Sequence, residues 1–189
     1  MKEFLEHINL YHPISQETIT DLSKICTEEI YHKNELILES GMMAQYYYFL
    51  QKGLIGYYTN NENGDSVYKI FFEENSFVAS TSAIIKNEPS DFNIIALEDC
   101  KVIKYSAKEY RKLLNKHHDL ALFHMHYLEK NWVVKKEPLE ISLKYETAKQ
   151  RYLSLLKNKS LYNRLKQHHI ASYLGVTPTQ LSRIRKELK

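Results

Sequence analysis

The chain has 189 residues, 43% hydrophobic and 26% charged, with a net charge of +3, a composition that excludes a disordered polymer. No apolar run approaches the roughly 18 residues of a membrane span, and Cys26 and Cys100 are too few for a disulfide scaffold or a cysteine-ligated cluster. Met1 to His7 lacks the apolar stretch of a signal peptide, so the expected location is cytoplasmic.

The first 25 residues read as helical, with Leu5, Ile8, Ile19, Leu22 and Ile25 as apolar anchors around a break at Pro13. From Thr27 the texture changes to short aromatic and β-branched runs divided by Gly, Asn and Asp. These are Leu36–Leu38, Tyr46–Leu50, Leu54–Thr59, Ser66–Phe72, Phe77–Val78, Phe92–Leu97 and Lys101–Tyr105. Evenly spaced runs of this kind predict a barrel or jelly roll, and Asn63-Gly64 is its best hairpin signal.

At Ser106 the period switches. Ser106-Ala107-Lys108-Glu109 reads as a capping box, and helical sequence continues without a breaker to Glu137, before Pro138. About 30 residues at about 1.5 Å each predict a rod of roughly 45 Å. Leu114, His118, Ala121, Met125, Leu128 and Trp132 follow the coiled-coil spacing and are the expected dimer interface. The same stripe could instead pack on the chain's own barrel. A second helix is expected after Pro138, with Ile141, Tyr145, Ala148, Tyr152 and Leu155 on one face.

Gln167 to Ile184 then reads as two short helices around a tight corner. Ile170, Ala171 and Leu174 share the inner face of the first, and small Ala171 allows a close crossing. Gly175 suits a left-handed C-terminal cap. Thr177 can cap the second helix with Pro178 in its first turn, and Leu181 and Ile184 return to the shared core. Thr179, Gln180, Ser182, Arg183, Arg185 and Lys186 are left pointing outward. This is the pattern of a helix-turn-helix, whose second helix reads base edges.

An ordinary helical hairpin can share that corner, and charge separates the two readings. From Lys149 onward ten Lys and Arg stand against one acid, a net of +9. Residues 1–105 hold eight lysines, no arginine and sixteen acids, a net of −8, whereas residues 106–189 carry a net of +11. An acidic part joined to a basic part predicts a sensing or assembly domain attached to a DNA-binding one.

A barrel, a long helix and a C-terminal helix-turn-helix together resemble the Crp/Fnr family of bacterial transcription regulators over nearly the whole chain. Ile170 to Thr177 and Leu181 to Arg185 look like the family's DNA-binding signature. The resemblance implies an α+β fold in three parts. Residues 1–105 would be a double-stranded β-helix (jelly roll) of the cyclic-nucleotide-binding type, 106–137 the dimerisation helix, and 138–189 the helix-turn-helix domain. The implied partners are double-stranded DNA in palindromic operators, a second copy of the chain, RNA polymerase and a small-molecule effector, with no membrane.

Arg183 matches the family's guanine-reading arginine, whose fork suits guanine O6 and N7. Thr179, Gln180 and Ser182 would assist beside Thr177, while Arg185, Lys186, Lys166 and His169 would meet phosphates. Pro178, Thr179 and Gln180 differ from the Arg-Glu-Thr of the cyclic-AMP receptor protein, so a different operator is expected. Relatives add a β-hairpin wing after the second helix. The sequence here stops at Lys189, which shifts expected phosphate contacts onto the helices and lysines.

Phe77, Val78, Ala79 and Ser80, with Ser90, Asp91 and Phe92, occupy the place of the family's phosphate-binding cassette and are the expected effector pocket. The family's Gly-Glu is Ala79-Ser80 here, and Ser90-Asp91 stands where relatives carry a phosphate-pairing arginine. Cyclic AMP is therefore not the expected ligand. His7, His12 and His32 read as solvated groups rather than haem ligands, so no cofactor is expected.

His124-Met125-His126 resembles a cupin metal pair, but on a helix the two rings point roughly 200° apart. No metal site and no catalysis are expected. The alternative function is a small-ligand or protein-interaction barrel with a vestigial helix-turn-helix.

Overall fold

The computed structural model describes residues 1–188. Two helices open the chain, α1 (Lys2–Asn9) and α2 (Gln16–Lys24). Ser15 caps α2, its hydroxyl accepting the Thr18 amide at 3.3 Å. Strands β1 (Cys26–Tyr31), β2 (Leu36–Leu38), β3 (Tyr46–Lys52), β4 (Ile55–Asn60), β5 (Ser66–Phe72) and β6 (Ser76–Val78) follow. Helix α3 (Thr81–Lys86) then leads to β7 (Asn93–Ala96) and β8 (Cys100–Ser106).

The strands form two antiparallel sheets, ordered β1-β8-β3-β6 and β2-β7-β4-β5. Between them lies an apolar interior built from Leu50, Ile55, Val78, Ile94, Ala96 and Val102, all buried. The β4–β5 hairpin turns where Asn63-Gly64 predicts it. Gly64 sits at φ +83°, a conformation that costs glycine little. Asn61 Oδ1 accepts the Asn63 and Asp65 amides at 3.0 and 2.9 Å.

The helices after β8 are α4 (Ala107–Lys116), α5 (His118–Leu128), a π-helical segment (Glu129–Val134) and α6 (Lys136–Tyr145). They are followed by α7 (Ala148–Lys157), α8 (Lys159–Arg164), α9 (Gln167–Tyr173) and α10 (Pro178–Glu187). The outer face of one sheet is covered by the N-terminal helices with α5, that of the other by the C-terminal helices. Phe49, Ile103 and Tyr105 of the first sheet meet Phe4, Ile8, Leu22, Leu120 and Phe123. Leu54, Tyr68, Phe71 and Leu97 of the second meet Tyr152, Leu155, Leu165, Ile170, Leu174 and Leu181. The C-terminal helices are thus seated on the barrel of their own chain.

The uninterrupted rod expected over 106–137 is not present. Its chain leaves the helix at His117, which has φ −113° and ψ 108°. Tertiary hydrogen bonds explain the break. His117 Nε2 lies 3.0 Å from Asp21, and the Asp119 carboxylate accepts the Ser15 amide at 2.7 Å and the Thr18 hydroxyl at 2.8 Å. These bonds draw the chain onto α2 and outweigh local helical preference. The Ser106 cap is only half a capping box, because the Glu109 carboxylate pairs with Lys112 at 2.9 Å.

Nor does Pro138 end a helix. It lies in the first turn of α6, and the π segment ends at Val134, four residues earlier, where a proline ring would meet the helical carbonyl. The wider π turn accommodates that conflict. The true boundary is Glu146–Thr147, where Thr147 and Gln150 form a full capping box for α7. Among the described residues no helix is long and apolar enough to cross a membrane.

Candidate nucleic-acid interface and sensor cassette

Just past the end of α9, Gly175 takes φ +67°. The Val176 amide reaches back to the Ala171 carbonyl at 3.0 Å, closing the left-handed cap. Thr177 then caps α10: its hydroxyl accepts the Gln180 amide at 3.2 Å, while Gln180 Oε1 accepts the Thr177 amide at 2.8 Å. Pro178 occupies the first turn. Ile170, Ala171, Leu174 and Leu181 are buried together and brace the two helices. Leu181, wholly buried, fixes which face of α10 looks outward.

Thr179, Arg183 and Lys186 lie exposed on that outward face. Gln180 and Ser182 are exposed too, but each has work within the chain. Gln180 belongs to the cap, and Ser182 Oγ accepts from Gln167 Nε2 at 3.0 Å. Lys166 is exposed at the start of α9.

Two expected phosphate contacts turn inward instead. Arg185 donates to the Tyr152 and Tyr162 hydroxyls, both at 3.2 Å, and lies over their rings. His169 is only 7% exposed, with its ring 5.0 Å from that of Tyr68. Burial lowers its pKa to about 4, with His168, Lys166 and Lys33 adding to the effect. Both residues serve the packing of the C-terminal helices.

The expected dimer stripe is divided. Leu114 lies on α4, before the break, half-buried against the core around Phe49. His118, Met125 and Trp132 are exposed beyond it, and Ala121 and Leu128 are half-buried. A stronger apolar surface lies further on. Leu139, Ile141, Leu143 and Tyr145 on α6 are 56%, 59%, 67% and 83% exposed. Leu139 and Leu143 share one line on the helix, Ile141 and Tyr145 another.

The cassette spans β6, α3 and β7. Phe77 points out of the barrel, packing on Phe4, Phe49, Phe123 and Tyr127, and so does not line a pocket. Alternation along a strand puts its neighbour Val78 on the inner face. Ser80 and Ser90 are buried and bonded to each other at 2.8 Å. Ser80 also meets the Tyr57 hydroxyl at 3.2 Å, and Ser90 donates to the Phe92 carbonyl at 2.8 Å. Phe92 stacks on Tyr57 with ring centres 4.5 Å apart. Ala79 is half-buried, and Asp91 is exposed.

Tyr57 and Lys69 were not expected at this cassette. Lys69 Nζ lies 4.9 Å from the Phe92 ring centre and 5.6 Å from that of Tyr57. Lys69 is brought there by a bulge in β5, and the aromatic residues Tyr68 and Phe71, three apart in the sequence where strict alternation would give two or four, are its trace. The hydroxyls satisfy one another, and the stacked rings lie across them. Both features oppose a phosphate seat.

Glu17, Asp21 and His117 bring ligand atoms within 4.8 Å of one another. Asp21, however, already receives Lys116 at 2.6 Å and Lys24 at 2.7 Å, which hold its carboxyl well below the usual range. The trio is an ion-pair hub with ammonium groups where a metal would compete. His124 and His126 bond separately, to the Tyr110 hydroxyl and the Tyr11 carbonyl.

Residues 28–117 match the sequence model of the cyclic nucleotide-binding domain. No curated protein matches the chain in sequence. Among solved structures, the c-di-GMP-responsive global regulator CLP of Xanthomonas campestris is similar over 92% of this chain and 91% of its own, with 13% identity and a TM-score of 0.74. FixK2 of Bradyrhizobium japonicum is similar over 87% of this chain and 84% of its own, with 18% identity and a TM-score of 0.71. The catabolite activator protein of Thermus thermophilus covers 95% and 85%, with 18% identity and a TM-score of 0.58. At these identities the likeness is one of fold.

Proposed function

From a chain that carries a cyclic nucleotide-binding domain over residues 28–117 and resembles Crp/Fnr-type regulators in fold, we propose a sequence-specific DNA-binding transcription regulator. The observation that carries this reading is the outward face of α10. Leu181 anchors the helix from beneath while Thr179, Arg183 and Lys186 stand free above it. Arg183 reads a base edge, Thr179 sits beside it, and Lys186 and Lys166 meet phosphates. Gln180 and Ser182 support the geometry of the reader through their bonds within the chain.

The protein acts as a dimer on two half-sites about 34 Å apart. Pairing uses the helical run from α5 through the π segment to α6, and its contacts are weighted toward the exposed apolar residues of α6 rather than toward Leu114. A helix apolar on several sides is one that is covered. Its effector is a small molecule other than cyclic AMP, because the Ser80–Ser90–Tyr57 hydroxyls are mutually satisfied and no arginine lies before Arg111.

Selection of bound duplexes from a random pool tests the reading. A palindromic consensus is expected, and Arg183→Ala should cost about 1–3 kcal/mol and relax preference at one base pair per half-site. Failure to enrich any sequence would refute it. Equal loss on every duplex would make Arg183 a phosphate contact.

A further inference from the structure

Strand β5 is the outer member of its sheet, so part of its backbone faces away from β4. Such an edge needs cover. At Ser66–Tyr68 the cover is one side chain. The Tyr68 amide donates to Ser172 Oγ at 2.9 Å, and the Ser172 hydroxyl donates to the Ser66 carbonyl at 2.5 Å. A neighbouring strand would meet these two groups with its own carbonyl and amide. A hydroxyl does both, with a lone pair and its proton.

The residues around Ser172 on α9 reinforce the dock. His169 lies edge-on to Tyr68, and Tyr173 packs on Phe71 with ring centres 5.5 Å apart. The same strand borders the cassette. Its register with β4 passes from Tyr57↔Ile70 to Tyr58↔Tyr68, leaving Lys69 as the extra residue of a bulge whose ammonium lies over Tyr57 and Phe92. Adjacent residues of β5 therefore touch the cassette and the two-helix unit.

We propose that Ser172 is a positioning residue, whose hydroxyl locks the two-helix reader to the edge of β5 so that the barrel sets where α10 points. This rests on the DNA-binding reading above. In a dimer the lock fixes the separation of the two reading helices, and with it the half-site spacing the protein accepts.

The test uses the full chain with Ser172→Thr and Ser172→Val, which match in shape and differ in the hydroxyl, and Ser172→Ala as a smaller variant. Two quantities are measured: hydrogen exchange at the Tyr68 amide without DNA, and relative affinity for selected operators whose spacer is longer or shorter by a base pair. Val and Ala are expected to speed Tyr68 exchange about tenfold or more. They should also lower spacing discrimination several-fold while leaving affinity for a single half-site unchanged. Thr should behave as wild type in both.

Unchanged Tyr68 exchange in Val and Ala would overturn the lock. Unchanged spacing discrimination, on operators that Arg183→Ala no longer reads, would overturn the positioning role and leave the DNA reading standing. A wild type that enriches no sequence would remove the reader and the positioning role with it, whatever Tyr68 does.

Discussion

Replacing Arg164 by Met removes a guanidinium that ties the C-terminal helices to the barrel by charge. Its Nη1 and Nη2 reach Glu74 at 2.8 and 2.9 Å, and its Nε and Nη2 reach Glu98 at 3.0 and 2.7 Å. An exposed ion pair contributes about 0.2–1 kcal/mol, whereas removing one partner of a buried pair costs about 3–5 kcal/mol. Arg164 is 19% exposed and the two carboxylates 36% and 35%, so solvent screens part of the interaction. Arg164→Met should therefore cost about 2 kcal/mol, a fall of about 4–8 °C in melting temperature for a chain of this size.

The pH dependence identifies the cause. Arg164 holds the Glu74 carboxyl down to about 2, below its ordinary value in an unfolded chain of about 4.3. A depressed carboxyl contributes its full stability above the unfolded value and loses it as pH falls toward the folded one. Wild type and Arg164→Met should differ by a constant amount from about pH 8 to about pH 5, and the gap should narrow below about pH 4. Thermal melts across that range measure it. An equal gap at acid and neutral pH would assign the loss to packing of the arginine stem, and no gap would refute the clamp.

Three further outcomes are expected. Asp119→Ala should cost about 1–3 kcal/mol in urea unfolding, because it removes the charged acceptor shared by the Ser15 amide and the buried Thr18 hydroxyl. Although partial burial pulls the other way, bonds from Ser15, Thr18 and Leu120 hold Asp119 to about 2, so this contribution also fades as pH falls below about 4. Leu139→Asp with Leu143→Asp should convert a dimer to a monomer in sedimentation, and a persistent dimer would place the pairing surface elsewhere. Cyclic AMP should neither bind by calorimetry nor raise the melting temperature; micromolar binding would overturn the reading of the cassette.

The sequence was most legible where local chemistry and tertiary structure agree. Asn63-Gly64, Ser106 as a cap, and the Gly175-Val176-Thr177-Pro178 corner act through bonds a few residues long, and they appear where expected. It was least legible where a distant partner decides. The break at His117 depends on Asp21 and Ser15, about a hundred positions away, and no nearby residue announces it. Pro138 announces a break that the π turn absorbs. Strand β1 carries Thr27, Glu28 and Glu29, which weaken the alternating pattern.

Side-chain direction was harder still. Phe77 and Val78 are adjacent and both apolar, and only the sheet order tells that Phe77 faces the helices. His169 and Arg185 look like charged surface groups in sequence, yet the rings that receive them lie on other elements.

The cover over β5 also bears on how this chain can be divided. Without the C-terminal helices, Leu54, Tyr68, Phe71 and Leu97 would be bared together with the free rim of a sheet already carrying the exposed Val67 and Ile70. Loss of residues 1–25 would strip the opposite sheet of Phe4, Ile8 and Leu22. A fragment limited to residues 28–117 would therefore be adhesive on both faces and prone to self-association through strand pairing. Barrel and C-terminal helices are not finished parts set side by side; each completes the surface of the other.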